Sequence, residues 1–174
     1  MAGPRVQETG GSAHPFGPDD RGDDLKRDLE RIKADTTEVV MHAIAIYASG
    51  LISFLVLDAI WLGSMVPRLY KPAMGDLVAD PFQPLPAAIF YLIYAGGLAY
   101  FAIQPALASG KWSTALIAGA ALGFVAYSTY DLTNQATLRG WPLTITLVDI
   151  AWGTIASGLA ATISYLALSR WLSA

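Results

Sequence analysis

The chain has 174 residues, of which 54% are hydrophobic and 14% charged, and its formal net charge is −3. This length favours one domain, and the small negative charge excludes a nucleic-acid partner. Because cysteine is absent and His14 and His42 lack metal-ligand spacing, no disulfide, thiolate chemistry or metal is expected. No predicted span contains a lysine and no histidines are paired, so we expect no cofactor such as retinal or bis-histidine haem.

The N-terminal segment carries most of the charge. Residues 1–18 are rich in glycine and proline without an apolar run, which predicts disorder rather than a signal peptide. Within residues 19–38, Leu25, Leu29 and Ile32 recur at helical spacing behind acidic residues, which predicts a short amphipathic helix. We interpret this helix as a solvated lead-in to the first span, with a membrane-surface or partner-binding role as the alternative.

The remainder, residues 39–174, contains four charge-poor stretches, near 41–65, 85–107, 112–135 and 143–168. Each exceeds the roughly 20 residues needed to cross a hydrocarbon core of about 30 Å. Backbone groups in lipid must bond internally, so each stretch is predicted to be a helix. The expected fold is all-α, a polytopic membrane protein with a four-transmembrane-helix bundle. Pro105 predicts the end of the second helix.

The orientation follows from the distribution of lysine and arginine. The side that holds both termini and the 107–112 connection carries more of these residues than the side with Arg68, Lys71 and Arg139. By the positive-inside rule, both termini are predicted to be cytoplasmic. The lipid bilayer is the expected partner, and a homo-oligomer is expected if so small a bundle transports anything.

Three aspartates interrupt the spans. Asp58 lies near the end of the first, Asp131 near the end of the third, and Asp149 in the first half of the fourth. Because odd and even spans run in opposite directions, all three are expected in the outer half of the bilayer, with Asp131 the shallowest. Intramembrane acids cost about 2.5–3.5 kcal/mol at a helix centre and mark functional sites by default. We expect at least one to be protonated, or a cation to be held among them; the alternative is that each only fixes helix packing.

Further polar and aromatic side chains fall in the same half of the bilayer and complete the candidate binding site. With the aspartates, its members are Tyr91, Tyr94, Tyr127, Tyr130, Asn134, Trp152 and Arg139. Arg139 is the nearby cation that could pair with one acid. Trp152 is expected to pack inside the bundle, whereas Trp61 is interpreted as an anchor at the membrane interface. Residues 66–84 are interpreted as a connector, with a lid over the site as the alternative.

Three segments carry a family resemblance. They are LDAIWLG at 57–63, YDLTNQATLRGWP at 130–142 and VDIAWGT at 148–154. Together they resemble the bacterial predicted membrane proteins grouped as domain of unknown function 2177, over roughly residues 42–170. The resemblance implies a multi-pass protein of the bacterial cytoplasmic (inner) membrane, with a lean toward lipid chemistry but no established reaction. The charged segment before residue 40 departs from the family pattern.

Three functions remain open. The first is a membrane binding module whose Asp/Tyr cluster holds a small molecule, lipid or cation. The second is a membrane enzyme acting on a lipid or lipophilic substrate, with Asp131 or Asp149 as acid–base group and Tyr130 as proton donor. The third is a structural or assembly subunit, in which the N-terminal helix recruits a partner. The first is favoured because the sequence contains no complete catalytic set.

Overall fold

A computed structural model describes Gly3, residues 20–79 and residues 81–172. Apart from Gly3, the predicted disorder of residues 1–18 lies outside the described residues. The described part of the chain is almost entirely helical and contains no strand. It divides into two units, one ending at Met41 and one beginning at His42. The division of the chain at residues 18 and 38 stays a prediction.

Helix α1, Asp20–Met65, contains both the charged N-terminal segment and the first span. The predicted amphipathic helix is therefore helical but is not a separate element. Neither glycine nor proline occurs between residues 23 and 49, so the sequence holds no strong helix breaker where the charge ends. From residue 22 to residue 41, every side chain of this helix is exposed.

The connector after the first span is largely helical rather than an open loop. It comprises a π-helical segment, Val66–Tyr70, the short helix α2, Lys71–Met74, and a 3₁₀ turn, Gly75–Leu77. Pro67 and Pro72 lie near the starts of the π-helical segment and of α2. Helix α2 ends at Gly75, whose φ of 52° favours glycine.

The second span comprises helix α3, Pro84–Leu98, a π-helical turn, Ala99–Ile103, and helix α4, Gln104–Ser109. The prediction that Pro105 ends this span is wrong, because α4 continues four residues beyond it. In a regular helix the proline ring would meet the carbonyl of residue 101, and the wider π-helical turn lies at that position. The span ends at Gly110, which is left-handed with φ 67°.

Helices α5, Trp112–Thr137, and α6, Leu143–Leu172, form the most closely packed helix pair. A turn with Gly140 at φ 77° joins them. A Cβ on Gly119 of α5 would lie 2.6 Å from the carbonyl oxygen of Ser157 on α6. The two backbones can approach this closely because the residues between them are small, as is common in membrane bundles.

Within the described residues, four helices are long and apolar enough to cross a membrane. They are Gly22–Leu77, Pro84–Ser109, Trp112–Thr137 and Leu143–Trp171. The predicted all-α polytopic fold is therefore confirmed. The core of the unit from His42 onward contains Phe54, Leu98 and Ile103, packed near small residues of α6 such as Ala156 and Ala160.

Candidate functional site

Two of the three aspartates accept hydrogen bonds, in two groups that a stacked pair of tryptophan rings joins. Asp58 accepts a hydrogen bond from the Tyr91 hydroxyl at 2.6 Å and another from Trp152 Nε1 at 3.1 Å. Asp149 accepts a hydrogen bond from the Tyr70 hydroxyl. Asp58 and Asp149 are only 5% and 8% exposed. Because its donors come from α3 and α6, Asp58 on α1 links three spans.

A stack of two indole rings joins the two carboxylates. Trp61 and Trp152 lie with ring centroids 4.3 Å apart and an angle of 6° between their planes. Trp61 Nε1 donates to the Tyr70 hydroxyl oxygen at 3.1 Å, and Tyr70 in turn donates to Asp149. We call this set the carboxylate network; its members are Asp58, Trp61, Tyr70, Tyr91, Asp149 and Trp152. Trp61 therefore packs on Trp152, and its role as an anchor at the membrane interface stays a prediction.

The carboxylate network depends on one spacing, an aspartate followed three residues later by a tryptophan, which occurs on two helices. Asp58 and Trp61 are three residues apart on α1, as are Asp149 and Trp152 on α6, so each pair shares one helix face. The first and fourth spans run in opposite directions, so the aspartate of one helix meets the tryptophan of the other. Trp152 reaches Asp58 directly, whereas Trp61 reaches Asp149 through Tyr70.

Asp131 lies outside the carboxylate network. Its side chain is 0% exposed, and among the described residues neither of its oxygens has a hydrogen-bond partner. The Ser128 hydroxyl, one turn earlier on α5, is likewise buried without a partner in the described chain. Asp131 interacts electrostatically with Asp149. An ionised carboxylate without donors would cost several kcal/mol, so this group needs a proton or a cation to offset its burial.

A cavity of about 510 Å³ reaches Asp149 from the surface of the bundle. It lies among α3, α5 and α6, and its lining consists of Phe90, Ala126, Tyr127, Thr129, Tyr130, Thr133 and Asp149. Phe90 and Tyr130 are 41% and 57% exposed, so the mouth of the cavity opens on the outer faces of these helices. Since those faces belong to membrane-spanning helices, the mouth would open toward lipid rather than along the bundle axis.

Only some of the hydroxyl groups that line the cavity have a proton free to donate to a ligand. Thr129 donates to the carbonyl of Val125 and Thr133 donates to the carbonyl of Thr129, so both threonine protons are used within α5. The polar groups that remain for a ligand are the Asp149 carboxyl and the hydroxyls of Tyr127 and Tyr130. The rest of the lining is apolar or aromatic.

The other predicted site residues differ in how deeply they are buried and in what they contact. Tyr94 is buried, contacts the Phe54 ring and shares a 2.6 Å hydrogen bond with the Ser157 hydroxyl, so it joins α3 to α6. Asn134 is half-buried and interacts with the Tyr130 hydroxyl. Arg139 is exposed and pairs with no acid that the structure describes, so the described residues give no support to its predicted pairing.

Sequence reasoning missed Tyr70, Phe90 and Ser128. Tyr70 lies on the connector that was interpreted as a simple link, yet it supplies the described donor to Asp149. A signal for it exists, since it is an aromatic residue that follows Trp61 on the same side of the bilayer. Phe90 and Ser128 have no such signal, because their positions depend on which faces of α3 and α5 turn inward.

The comparisons with known proteins agree with this architecture. A family model described as "Predicted membrane protein (DUF2177)" matches residues 43–166, which is more than half of the chain. The chain belongs to this family. The matched region contains the whole carboxylate network, Asp131 and the lining of the cavity, whereas the charged N-terminal part of α1 precedes it. Comparison with curated proteins and with solved structures gives no match.

Proposed function

We propose that this protein is a membrane binding protein for a lipophilic molecule whose head group donates a hydrogen bond to Asp149. One observation carries the proposal: a cavity that opens sideways on membrane-spanning helices reaches a buried carboxylate. An apolar pocket with a few converging polar groups is the usual form of a small-molecule site. The volume of about 510 Å³ falls within the range of such sites, roughly 300–1,000 Å³.

The charge of the site supports one class of head group. Asp58 and Asp149 are both buried carboxyl groups, so an anionic head group such as a phosphate would meet repulsion from either one when it is ionised. A hydroxyl or an ammonium group would instead donate to Asp149; such a hydrogen bond contributes about 0.5–1.5 kcal/mol between neutral groups and about 1.5–3 kcal/mol where one group is charged. Tyr127 and Tyr130 can donate to an oxygen on the same ligand.

The test is the identity of the molecule that copurifies with the full chain extracted in polymer-bounded native bilayer discs. We expect mass spectrometry to find one neutral or cationic lipophilic species enriched over the surrounding membrane. Ala126→Leu, which fills the cavity, and Asp149→Asn should each remove that enrichment. Ala121→Leu is the matched control, because Ala121 is exposed on the same helix and does not line the cavity.

Two results would change this proposal. The same lipids in all three variants, in membrane proportions, would refute binding in the cavity. Recovery of a chemically altered form of an added molecule, lost in Asp149→Asn, would replace the binding protein with the membrane enzyme as the function.

We also propose that both termini lie in the cytoplasm of a bacterial inner membrane, on the basis of the lysine and arginine distribution. Because the chain has no cysteine, single cysteines report the side directly. A membrane-impermeant maleimide should label Arg139→Cys in intact cells and Lys111→Cys only after permeabilisation. The reverse pattern would invert the topology.

A further inference from the structure

The N-terminal part of α1 exposes an apolar row that nothing in the described chain covers. Leu25, Leu29, Ile32 and Val39 are 63%, 49%, 61% and 67% exposed. With Thr36 between the last two, these positions are separated alternately by four and three residues. This is the spacing of the a and d positions of a coiled coil, with Leu29 and Thr36 at a.

The charges beside this row specify how a second helix would lie. In this register Asp28 and Asp35 occupy g positions, and Lys26 and Lys33 occupy e positions. In a parallel pair, g faces e of the following heptad, so Asp28 would face Lys33 of the partner subunit. In an antiparallel pair, positions g would face each other, which would oppose aspartate to aspartate. The charges therefore favour a parallel pair of identical helices.

The intrahelical ion pairs do not compete strongly with such pairing. Lys33 contacts Glu30 at 2.9 Å, but the two side chains are 70% and 72% exposed. Exposed pairs of this kind contribute little, so Lys33 is available to another carboxylate. Lys26 likewise contacts Asp23 at 3.6 Å on an exposed surface.

Anchoring in the membrane compensates for the short length of the coiled-coil segment. A seam of little more than two heptads is marginal for isolated peptides in water. Copies of one membrane protein have the same orientation in a bilayer, so their N-terminal segments leave the membrane on the same side. Anchoring in one plane raises the effective concentration of the segments and removes antiparallel arrangements.

From the exposed heptad row and its complementary charges, we propose that residues 22–41 pair with the same segment of a second copy as a parallel, two-stranded coiled coil. This surface is independent of the cavity at Asp149. The occupant is a second copy of this chain, because Asp28 at g complements Lys33 at e of an identical segment.

Oxidative cross-linking of single cysteines in the full chain, in native membranes, tests the pairing. Leu29→Cys and Ile32→Cys lie on the proposed seam, whereas Glu30→Cys and Ala34→Cys point away from it. Because a disulfide needs Cβ atoms within about 4.5 Å, we expect about tenfold more cross-linked dimer at the two seam positions. Equal cross-linking at all four positions, or none at the seam, would overturn the proposal.

Charge reversal gives a second test that does not alter the apolar row. In the Ile32→Cys background, Asp28→Lys should reduce cross-linking several-fold, and adding Lys33→Asp should restore it. If the double variant stays as low as the single variant, the pairing between Asp28 and Lys33 is refuted. If Leu25→Cys is instead shielded by lipid, as measured with a bilayer-restricted quencher, the row lies on the membrane and the coiled coil is refuted.

Discussion

Gly153 allows the ring of Tyr127 to lie directly against the backbone of α6. A Cβ at Gly153 would overlap Cγ, Cδ2 and Cε2 of that ring. These atoms belong to the body of a rigid aromatic group that also forms a wall of the cavity. In Gly153→Ala, either Tyr127 must leave its position or α5 and α6 must separate. The substitution therefore perturbs helix packing and the proposed binding site together.

The expected magnitude follows from two opposing effects. Overpacking a filled interior costs about 1–3 kcal/mol. Replacing glycine by alanine inside a helix returns up to about 1 kcal/mol through helix propensity. We therefore expect Gly153→Ala to be about 1–3 kcal/mol less stable than a glycine-to-alanine variant that gains the same helix propensity without the overlap. Gly63→Ala is the control, because Gly63 is helical and exposed with no heavy atom within 4 Å of the added Cβ.

Unfolding in mixed detergent micelles, followed by the fluorescence of the five tryptophans, measures both variants. Gly63→Ala should be neutral or slightly more stable than the parent chain, and only Gly153→Ala should lose the copurified molecule. Equal stability of the two variants would refute the close approach of Tyr127 to α6. Loss of stability with unchanged ligand content would refute the role of the Tyr127 wall in binding.

Substitutions at three further positions test the acids and their partners. Asp58→Ala leaves the Trp152 indole N–H without its acceptor and should cost about 1–3 kcal/mol in the same unfolding assay, whereas Asp58→Asn should cost less because it keeps one acceptor oxygen. Tyr70→Phe removes the described donor to Asp149 and should shift the tryptophan emission spectrum while the helix content by circular dichroism stays unchanged. Asp131→Asn should change stability by less than about 1 kcal/mol if Asp131 is uncharged, since the amide has the same size without a charge to bury; a loss of several kcal/mol would indicate a bound cation.

The membrane architecture could be predicted because it depends on local composition. A charge-poor stretch of sufficient length must be helical in lipid, whatever its neighbours are. The error at Pro105 shows the limit of this reasoning. A π-helical turn accommodates the proline ring within the span, and a proline alone does not reveal whether such a turn precedes it.

From the sequence, the candidate site could be predicted only where the directions of the helices decide which residues lie at the same depth. Opposite directions of the first and fourth spans place Asp58 and Trp152 in the same half of the bilayer, and the structure shows a hydrogen bond between them. Tyr70 was missed because a connector has no periodicity from which to infer its path. The burial of Asp131 without a hydrogen-bond partner among the described residues was also missed, since it depends on how far α5 is rotated about its own axis.

Sequence alone therefore determined the number of spans, their direction and the aspartates that interrupt them, because these follow from chain order and from the cost of burying charge. Only the tertiary structure decided which carboxyl groups share a network and which one is isolated. Helix rotation and tilt are set by contacts between residues distant in the sequence, such as the close approach of Gly123 on α5 to the backbone of Gly153 on α6. The packing of the helices also decides that a cavity among α3, α5 and α6 reaches Asp149.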